Sequence, residues 1–536
     1  MKKQTPILMK SVLLTIMTVI MAFVLVPFAP TGVKVFANSP TPTIIHMDGD
    51  VLKIGDTEWT TDTYDHSTVL KLPAGNYQLE GDIVTTACIL VDGEVTLDLN
   101  GYGIRYGGTD QGNLIRIEKN GNCIMNDSRP TEITHYITLT NGRGTSVSDT
   151  GTESDTCIKV TGGYLTGSNG NACVWLNVPE MDFCSFTMNG GTICGNTIAW
   201  YGYAAVYEQG SRGTFKMNGG EIRNNKCQGV FFTGKFEISG NPVIKNNMYV
   251  DPRTGDNRNP DRVANVVVYQ SKTITVSGEL TGNPEDIGVS IVKYENSSSS
   301  YYIYQDGGIF TTGLENGGKD AFKKFKSDVS GNNIIMTGGE IALAEPNIYM
   351  ESNKLKIGSV EWKPTDSQLD LMAGDYKLTS DIITTAPILV TGNVTIDLNG
   401  KSITYNSDTA GSVIKVGNNE TSGSLILNDS SENNNGMIMH ADTKTGRGVD
   451  VYNGKFIMNG GTITKNTCKE TGAGVYVEPR GVFTMNGGSI TQNNSSGYSG
   501  GGVYVYSSVF TMTGGSITNN DSGQGGGIFL QYAEIR

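Results

Sequence analysis

Along most of the chain, apolar and polar residues alternate in short runs that paired glycines cut off. Five copies of one phrase carry the pattern: FTMNGGTICGN from Phe186, FKMNGGEIRNN from Phe215, FIMNGGTITKN from Phe456, FTMNGGSITQN from Phe483 and FTMTGGSITNN from Phe510. In each copy Met follows Phe by two residues, Ile by seven and Asn by ten. Residues two apart share one face of a strand, so Phe and Met point the same way; Gly-Gly then bends the chain, and Ile opens a second strand toward the same interior. Every copy therefore predicts strand, bend, strand, turn.

Copies start 29 residues apart in the first group and 27 apart in the second, with a degenerate copy, FEISGNPVIKNN, 21 residues after Phe215. That length fits one coil of a parallel β-helix, each coil about 4.8 Å above the last. An α-solenoid would need a 3.6-residue apolar period and few glycines, whereas this chain has 70 glycines in 536 residues. The expected fold class is all-β, a right-handed parallel β-helix. The Phe, Met and Ile of each copy are expected to form inward stacks. Asn196, Asn225, Asn247, Asn466, Asn493 and Asn520 fall at turns, where Asn tolerates a left-handed backbone and its amide can bond the equivalent residue one coil away.

A longer repeat encloses the short one. LKIGDTEW at Leu52 returns as LKIGSVEW at Leu355, the AGNYQL segment at Ala74 returns at Ala373, and IMNDS at Ile124 returns as ILNDS at Ile426. Two tandem units are implied, 38–344 and 345–536. The first has a less repetitive ending (TITVSGELTG, FTTGLENGG, IIMTGGEIALA) that suits a cap over an open β-helix end. The second stops inside a coil at GGGIFLQYAEIR, so the chain is expected to be a fragment of a longer protein; the alternative is an exposed end that meets a partner.

The first residues change the setting. Lys2, Lys3 and Lys10 precede an apolar run from Ser11 to Phe28, and Val35-Phe36-Ala37 offers a signal-peptidase site. Residues 1–37 are read as a Sec-type signal peptide, the alternative being a retained membrane anchor. The chain is thus expected to be secreted or held on the cell surface. The formal charge of −13 becomes −17 once residues 1–37 and their four lysines are gone, leaving 36 Lys and Arg against 53 Asp and Glu. That balance argues against nucleic acid or anionic lipid as partner.

The FTMNGG–ITxN phrase, the GGGVYV spacer, the LDLNG strand at Leu97 and the GELTG…FTTG…GGEIALA ending together resemble the right-handed parallel β-helix repeats of large secreted Firmicute surface proteins, within the pectin-lyase-like superfamily. GGGV and ITxN are also similar to the GGA[ILV] and FxxN repeats of chlamydial polymorphic outer-membrane adhesins. The resemblance implies an adhesin or glycan-binding scaffold without catalysis, contacting extracellular polysaccharide or a host or neighbouring cell surface. Fold alone does not decide this. Two alternatives stay open: a polysaccharide lyase or glycoside hydrolase, and a structural cell-wall spacer. The superfamily's hydrolase pattern of Asn-Thr-Asp, Asp-Asp and Gly-His-Gly has no match, nor does a lyase-like Trp-Ile-Asp-His; His46, His66, His135 and His440 lie in other contexts.

The strongest binding signal is aromatic. Tyr207, Tyr476, Tyr504 and Phe529 alternate with apolar neighbours, so if those neighbours face inward the rings stand outward and stack into a strip, a platform for sugar rings. Trp175, Trp200, Tyr201 and Tyr203 form a second cluster. The competing reading is that outward rings only stabilise the sheet by cross-strand stacking. No catalytic residue and no cofactor are implied. Calcium is the one ion with a candidate place, the loop DPRTGDNRNPDR with Asp251, Asp256 and Asp261, although its spacing matches no calcium motif and a solvated loop is the simpler reading. Asp98 and Asp397, equivalent in LDLNG and IDLNG, are expected to satisfy turns. Seven of the eight cysteines fall in the first unit, and Cys88 and Cys123 correspond to Pro387 and Leu425, so free or sporadically paired thiols are expected.

Overall fold

A computed structural model describes residues 41–536, apart from 66, 179–181, 199–202, 250–260, 295–301, 306 and 497. The signal-peptide reading of residues 1–37 lies outside the described residues, as do His66, Trp200, Tyr201, Asp251 and Asp256. Among the described residues, no helix is long and apolar enough to cross a membrane.

The described chain is all-β, and Thr43–Arg536 form one compact unit. Sheets of 11 and 17 strands run through the first repeat, and sheets of 13 and 6 strands through the second. Successive copies of the phrase pair in parallel and in register. Phe186 opposes Phe215 and then Phe236, and Phe456 opposes Phe483 and then Phe510. The rings stack at 5.4 and 5.0 Å in the first repeat and at 4.9 Å twice in the second. Met188–Met217 and Met458–Met485–Met512 form the next column, and Ile193–Ile222–Ile244 and Ile463–Ile490–Ile517 line the facing sheet. All three expected columns are present.

The second glycine of each pair makes the bend. At Gly220 φ is 84°, and a Cβ there would lie 2.6 Å from the Gly191 carbonyl oxygen and 2.7 Å from Met188 Cε. The bend thus needs both a left-handed backbone and bare space against the coil below, which only glycine supplies.

Each ladder asparagine offers Oδ1 to the backbone N–H and side-chain amide of the asparagine one coil earlier. The pairs run Asn196→Asn225 (3.1 and 2.9 Å), Asn225→Asn247 (3.3 and 2.8 Å) and Asn247→Asn265 (2.9 and 3.1 Å). In the second repeat they run Asn466→Asn493→Asn520, begun by His440, whose Nδ1 lies 2.7 Å from Asn466 Oδ1. One part of the expectation is corrected. The left-handed backbone belongs to the preceding residues, Asn224, Asn246, Lys465, Gln492 and Asn519. Their turn frees the next side chain to point inward.

Asp328 ends the first ladder. Its carboxylate accepts the Asn265 backbone N–H and side-chain amide, each at 2.7 Å. Burial pushes this carboxyl up to about 6. A raised folded-state pKa means that the unfolded chain loses its proton first, so this group's contribution to stability falls as pH rises from about 4 to about 6 and stays low above that. Asp328→Asn can give the same two contacts from one oxygen, as Asn265 does. It is expected to raise stability at pH 7 by about 1–2 kcal/mol and to leave it nearly unchanged at pH 4, measured by urea denaturation at both values.

The two repeats meet across one hairpin, Asn333–Thr337 and Glu340–Ala344. Ile341 and Leu343 sit in the first repeat's core, while Ile335, Ala342 and Ala344 sit in the second's. The alternation of a strand thus serves two cores from one segment. Lys319 and Glu420 add an ion pair between the repeats at 2.6 Å.

Candidate functional site

In Val449–Val451, Val475–Val477 and Val503–Val505 the two valines are buried and the residue between them turns out, and the parallel register carries that position along the coils. In the second repeat this sets Lys415, Asp450, Tyr476, Tyr504 and Phe529 in one outward column; in the first it sets Arg116, Trp175, Tyr207 and Phe231. The second-repeat rings stack, Tyr476 on Tyr504 at 5.4 Å and Tyr504 on Phe529 at 5.5 Å. In the first repeat Tyr207 stacks on Phe231 at 5.7 Å, Tyr203 meets Tyr207 edge-on at 4.8 Å, and Arg116 lies over Trp175 at 4.9 Å.

The rings point out of the sheet but are not open platforms. Their faces are pressed against each other, and the loop before each strand runs along their bases. Gly472 and Gly500 have φ of 71° and 66°, and a Cβ at either would lie 2.8 Å from the Cβ of Tyr476 or Tyr504. Tyr504 keeps only 6% of its surface exposed, and Phe231 2%. The expected strip of solvent-facing rings is therefore corrected: stacking uses the faces, and Tyr207, Tyr476 and Phe529 remain partly exposed. Two residues along the same strands a further outward row, Tyr452, Glu478, Tyr506 and Gln531, is partly exposed. Tyr504 donates to Gln531, which ties the two rows together, and Tyr452 donates to Asn419.

Charged groups gather at one end of the second-repeat rings. Arg447 lies over Tyr476 at 4.3 Å, donates to the Thr471 carbonyl at 3.0 Å, and pairs with Glu470 at 2.7 Å and Asp450 at 3.3 Å. Asp450 is 9% exposed; its Oδ2 also accepts from Ser412 at 3.4 Å, and its Oδ1 is buried without a hydrogen-bond partner. Burial raises its pKa, against the pull of Arg447 and Lys415. Burial and then the Asp450 charge raise Glu478, while Tyr476 is pushed up to about 12, chiefly by burial. Ser412, Arg447 and Glu470 line a cavity of about 340 Å³ with Gly411, Gly446 and Cys468.

The first repeat sets its ion pairs one coil earlier in the column. Arg116 pairs with Glu118 and with Asp65 at 3.2 Å, and Tyr64 donates to Glu118 at 2.9 Å. Glu118 is 3% exposed, while Asp65 stays at the surface.

Asp98 and Asp397 hold turns, as expected. Each accepts the backbone N–H two residues on, from Asn100 and Asn399, and a serine N–H from the next coil, Ser128 or Ser430. Asp261 is exposed, and among the described residues no three His, Cys, Asp or Glu side chains gather as metal ligands. The eight cysteines are free, and burial pushes the thiols of Cys88, Cys123, Cys184 and Cys194 up to about 12, far from reactive.

The sequence reading missed a second ladder. The Asn before Gly-Gly in the four MNGG copies donates to its neighbour on the preceding coil, Asn189 to Asn126 and Asn218 to Asn189 at 2.8 Å, then Asn459 to Asn428 and Asn486 to Asn459 at 2.9 Å. Its signal was present in the constancy of MNGG. Comparisons with known protein families, curated proteins and solved structures found no match to this chain.

Proposed function

We propose that the chain is an exported surface protein of two tandem right-handed parallel β-helix units that acts as an adhesin or glycan-contacting scaffold without catalysis. The observation that carries this reading is the second-repeat outer face, where Tyr452, Glu478 and Tyr506 stand partly exposed beside the stacked Tyr476, Tyr504 and Phe529. Ring edges, hydroxyls and a carboxylate in rows about 4.8 Å apart suit a chain of sugar residues laid along the coils. The strict register supports a rigid rod that holds this face away from the cell. The partner is an extracellular polysaccharide or the surface of a host or neighbouring cell. Tyr506→Ala is expected to weaken retention on a bound polysaccharide about tenfold without changing the circular dichroism spectrum; unchanged retention would remove the outer face from the account.

A second reading, a glycoside hydrolase or polysaccharide lyase, is favoured by one observation. Asp450 and Glu478 are carboxyls of raised pKa on neighbouring coils, with Arg447 paired to Asp450 and lying over Tyr476. A protonated and an ionised carboxyl can divide acid and base roles. Under this reading Asp450→Asn abolishes release of oligosaccharides and leaves binding intact.

A further inference from the structure

The first repeat carries an insertion that the second lacks: 48 residues separate Asn126 from Val174, but only 21 separate their equivalents Asn428 and Val449. The extra residues form the antiparallel strands Thr134–Thr140, Arg143–Ser148 and Cys157–Thr161. The hairpin is fastened to the coils by the Gly144 N–H, which donates to the Gly195 carbonyl at 2.8 Å. At its tip, Gly142 lies against the stem of Lys226, so that a Cβ there would come within 2.7 Å of Lys226 Cδ.

Between hairpin and coils lies a pocket of about 430 Å³, lined by Thr140, Asn141, Arg143, Thr145, Asn169, Thr197, Ile198 and Lys226. Among the described residues lining it there is no carboxylate, in a chain where acids outnumber bases 53 to 40. Arg143 donates from Nε to the Gly167 carbonyl at 2.6 Å and from Nη2 to the Gly108 and Tyr106 carbonyls at 2.6 and 3.3 Å. These bonds fix the guanidinium but leave its charge unneutralised. Among the described residues neither Arg143 nor Lys226 has a carboxylate partner. Asn169 commits its Oδ1 to the Gly112 N–H at 3.0 Å, which leaves its amide donor. The pocket thus sets two cationic side chains beside hydroxyl and amide donors with no carboxylate in its lining, a combination suited to holding an anion.

We propose that this pocket is a subsite for the anionic substituent of an acidic polysaccharide, a uronate carboxylate or a sulfate ester. The inference rests on the glycan-contacting reading for the carrier, and on the pocket's own chemistry for the anion. The test titrates the purified full chain with oligogalacturonate and with dextran sulfate, using neutral dextran and sodium sulfate as controls. At least one acidic polymer is expected to bind more tightly than neutral dextran, and more weakly as salt rises. Lys226→Glu, at an exposed position, is expected to reduce that binding by about tenfold or more, and Arg143→Gln with Lys226→Gln to remove the preference for acid. Acidic and neutral polymers binding alike, or a folded Lys226→Glu protein with wild-type affinity, would overturn the proposal. Binding of sodium sulfate alone would also overturn it, by leaving a small-anion pocket. The two ideas separate cleanly: loss of acid preference in Tyr506→Ala but not in Lys226→Glu rejects this pocket and keeps the outer face.

Discussion

Asn225→Ala is expected to lower the local stability of the first repeat by about 3–5 kcal/mol. Asn225 is 2% exposed. Its amide donates to the Ile193 carbonyl at 3.0 Å, the Arg223 carbonyl at 3.2 Å and Asn247 Oδ1 at 2.8 Å, while its oxygen accepts twice from Asn196. Alanine strands all of these groups at once, and a buried polar group without a partner costs about 1–3 kcal/mol. Water cannot easily replace the amide in a site this closed. Because each coil contacts only its neighbours, the loss should be local. Hydrogen exchange should show faster opening of Thr192–Ile193, Glu221–Arg223 and Val243–Lys245, with the second repeat unaffected. Asn225→Asp should be worse than alanine at neutral pH, since its carboxylate would face three oxygens, and should recover as pH falls. Equal protection in wild type and Asn225→Ala would mean that the ladder is incidental to stability.

Arg447→Ala is the second large effect, expected at about 2–4 kcal/mol in the second repeat. The guanidinium holds Thr471, Glu470 and Asp450 and covers Tyr476. Its removal leaves the Asp450 carboxylate with the 3.4 Å hydrogen bond from Ser412 and the more distant charge of Lys415. The sign with pH follows. Without the cation Asp450 is raised further, so the deficit should shrink as the medium is acidified and the carboxyl takes up its proton. Adding Asp450→Asn to Arg447→Ala should restore about half of the loss. Lysine at 447 should rescue little, because one ammonium cannot serve three directions and a ring face together. Urea denaturation of the wild type, Arg447→Ala, Asp450→Asn and the double variant at pH 5 and pH 7 reads the coupling directly.

The parts of the fold legible in the sequence were those fixed by strict spacing. Phe, Met and Ile at constant offsets have one way to share an interior, and their columns follow from strand geometry. The buried asparagines were legible for the same reason. What escaped depends on contacts between segments that do not repeat. The hairpin at 333–344 reads as a cap because nothing in its own alternation says that both faces meet a core. The rings of Tyr476 and Tyr504 do stand outward, yet the glycines that precede them bring the loop down onto their bases. Arg447 reaches a column from a loop, and such a reach leaves no periodic trace. Asp450 did leave one, a lone acid between Val449 and Val451 at a position that holds an aromatic ring in the next three coils. Arg143 left another, since it lies in a segment that only one of two otherwise parallel units contains.

The central claim is that the outer face binds sugar chains and does not cut them. The most direct test incubates the protein with plant, host and bacterial polysaccharides, with calcium present, and follows soluble oligosaccharides by mass spectrometry while measuring protein left in solution. The account predicts depletion of the protein by at least one polysaccharide and no new fragments. New oligosaccharides that vanish with Asp450→Asn would contradict it and make the Asp450–Glu478 pair an active site; no depletion and no fragments would contradict it as well, and move the function to a protein partner or a spacer.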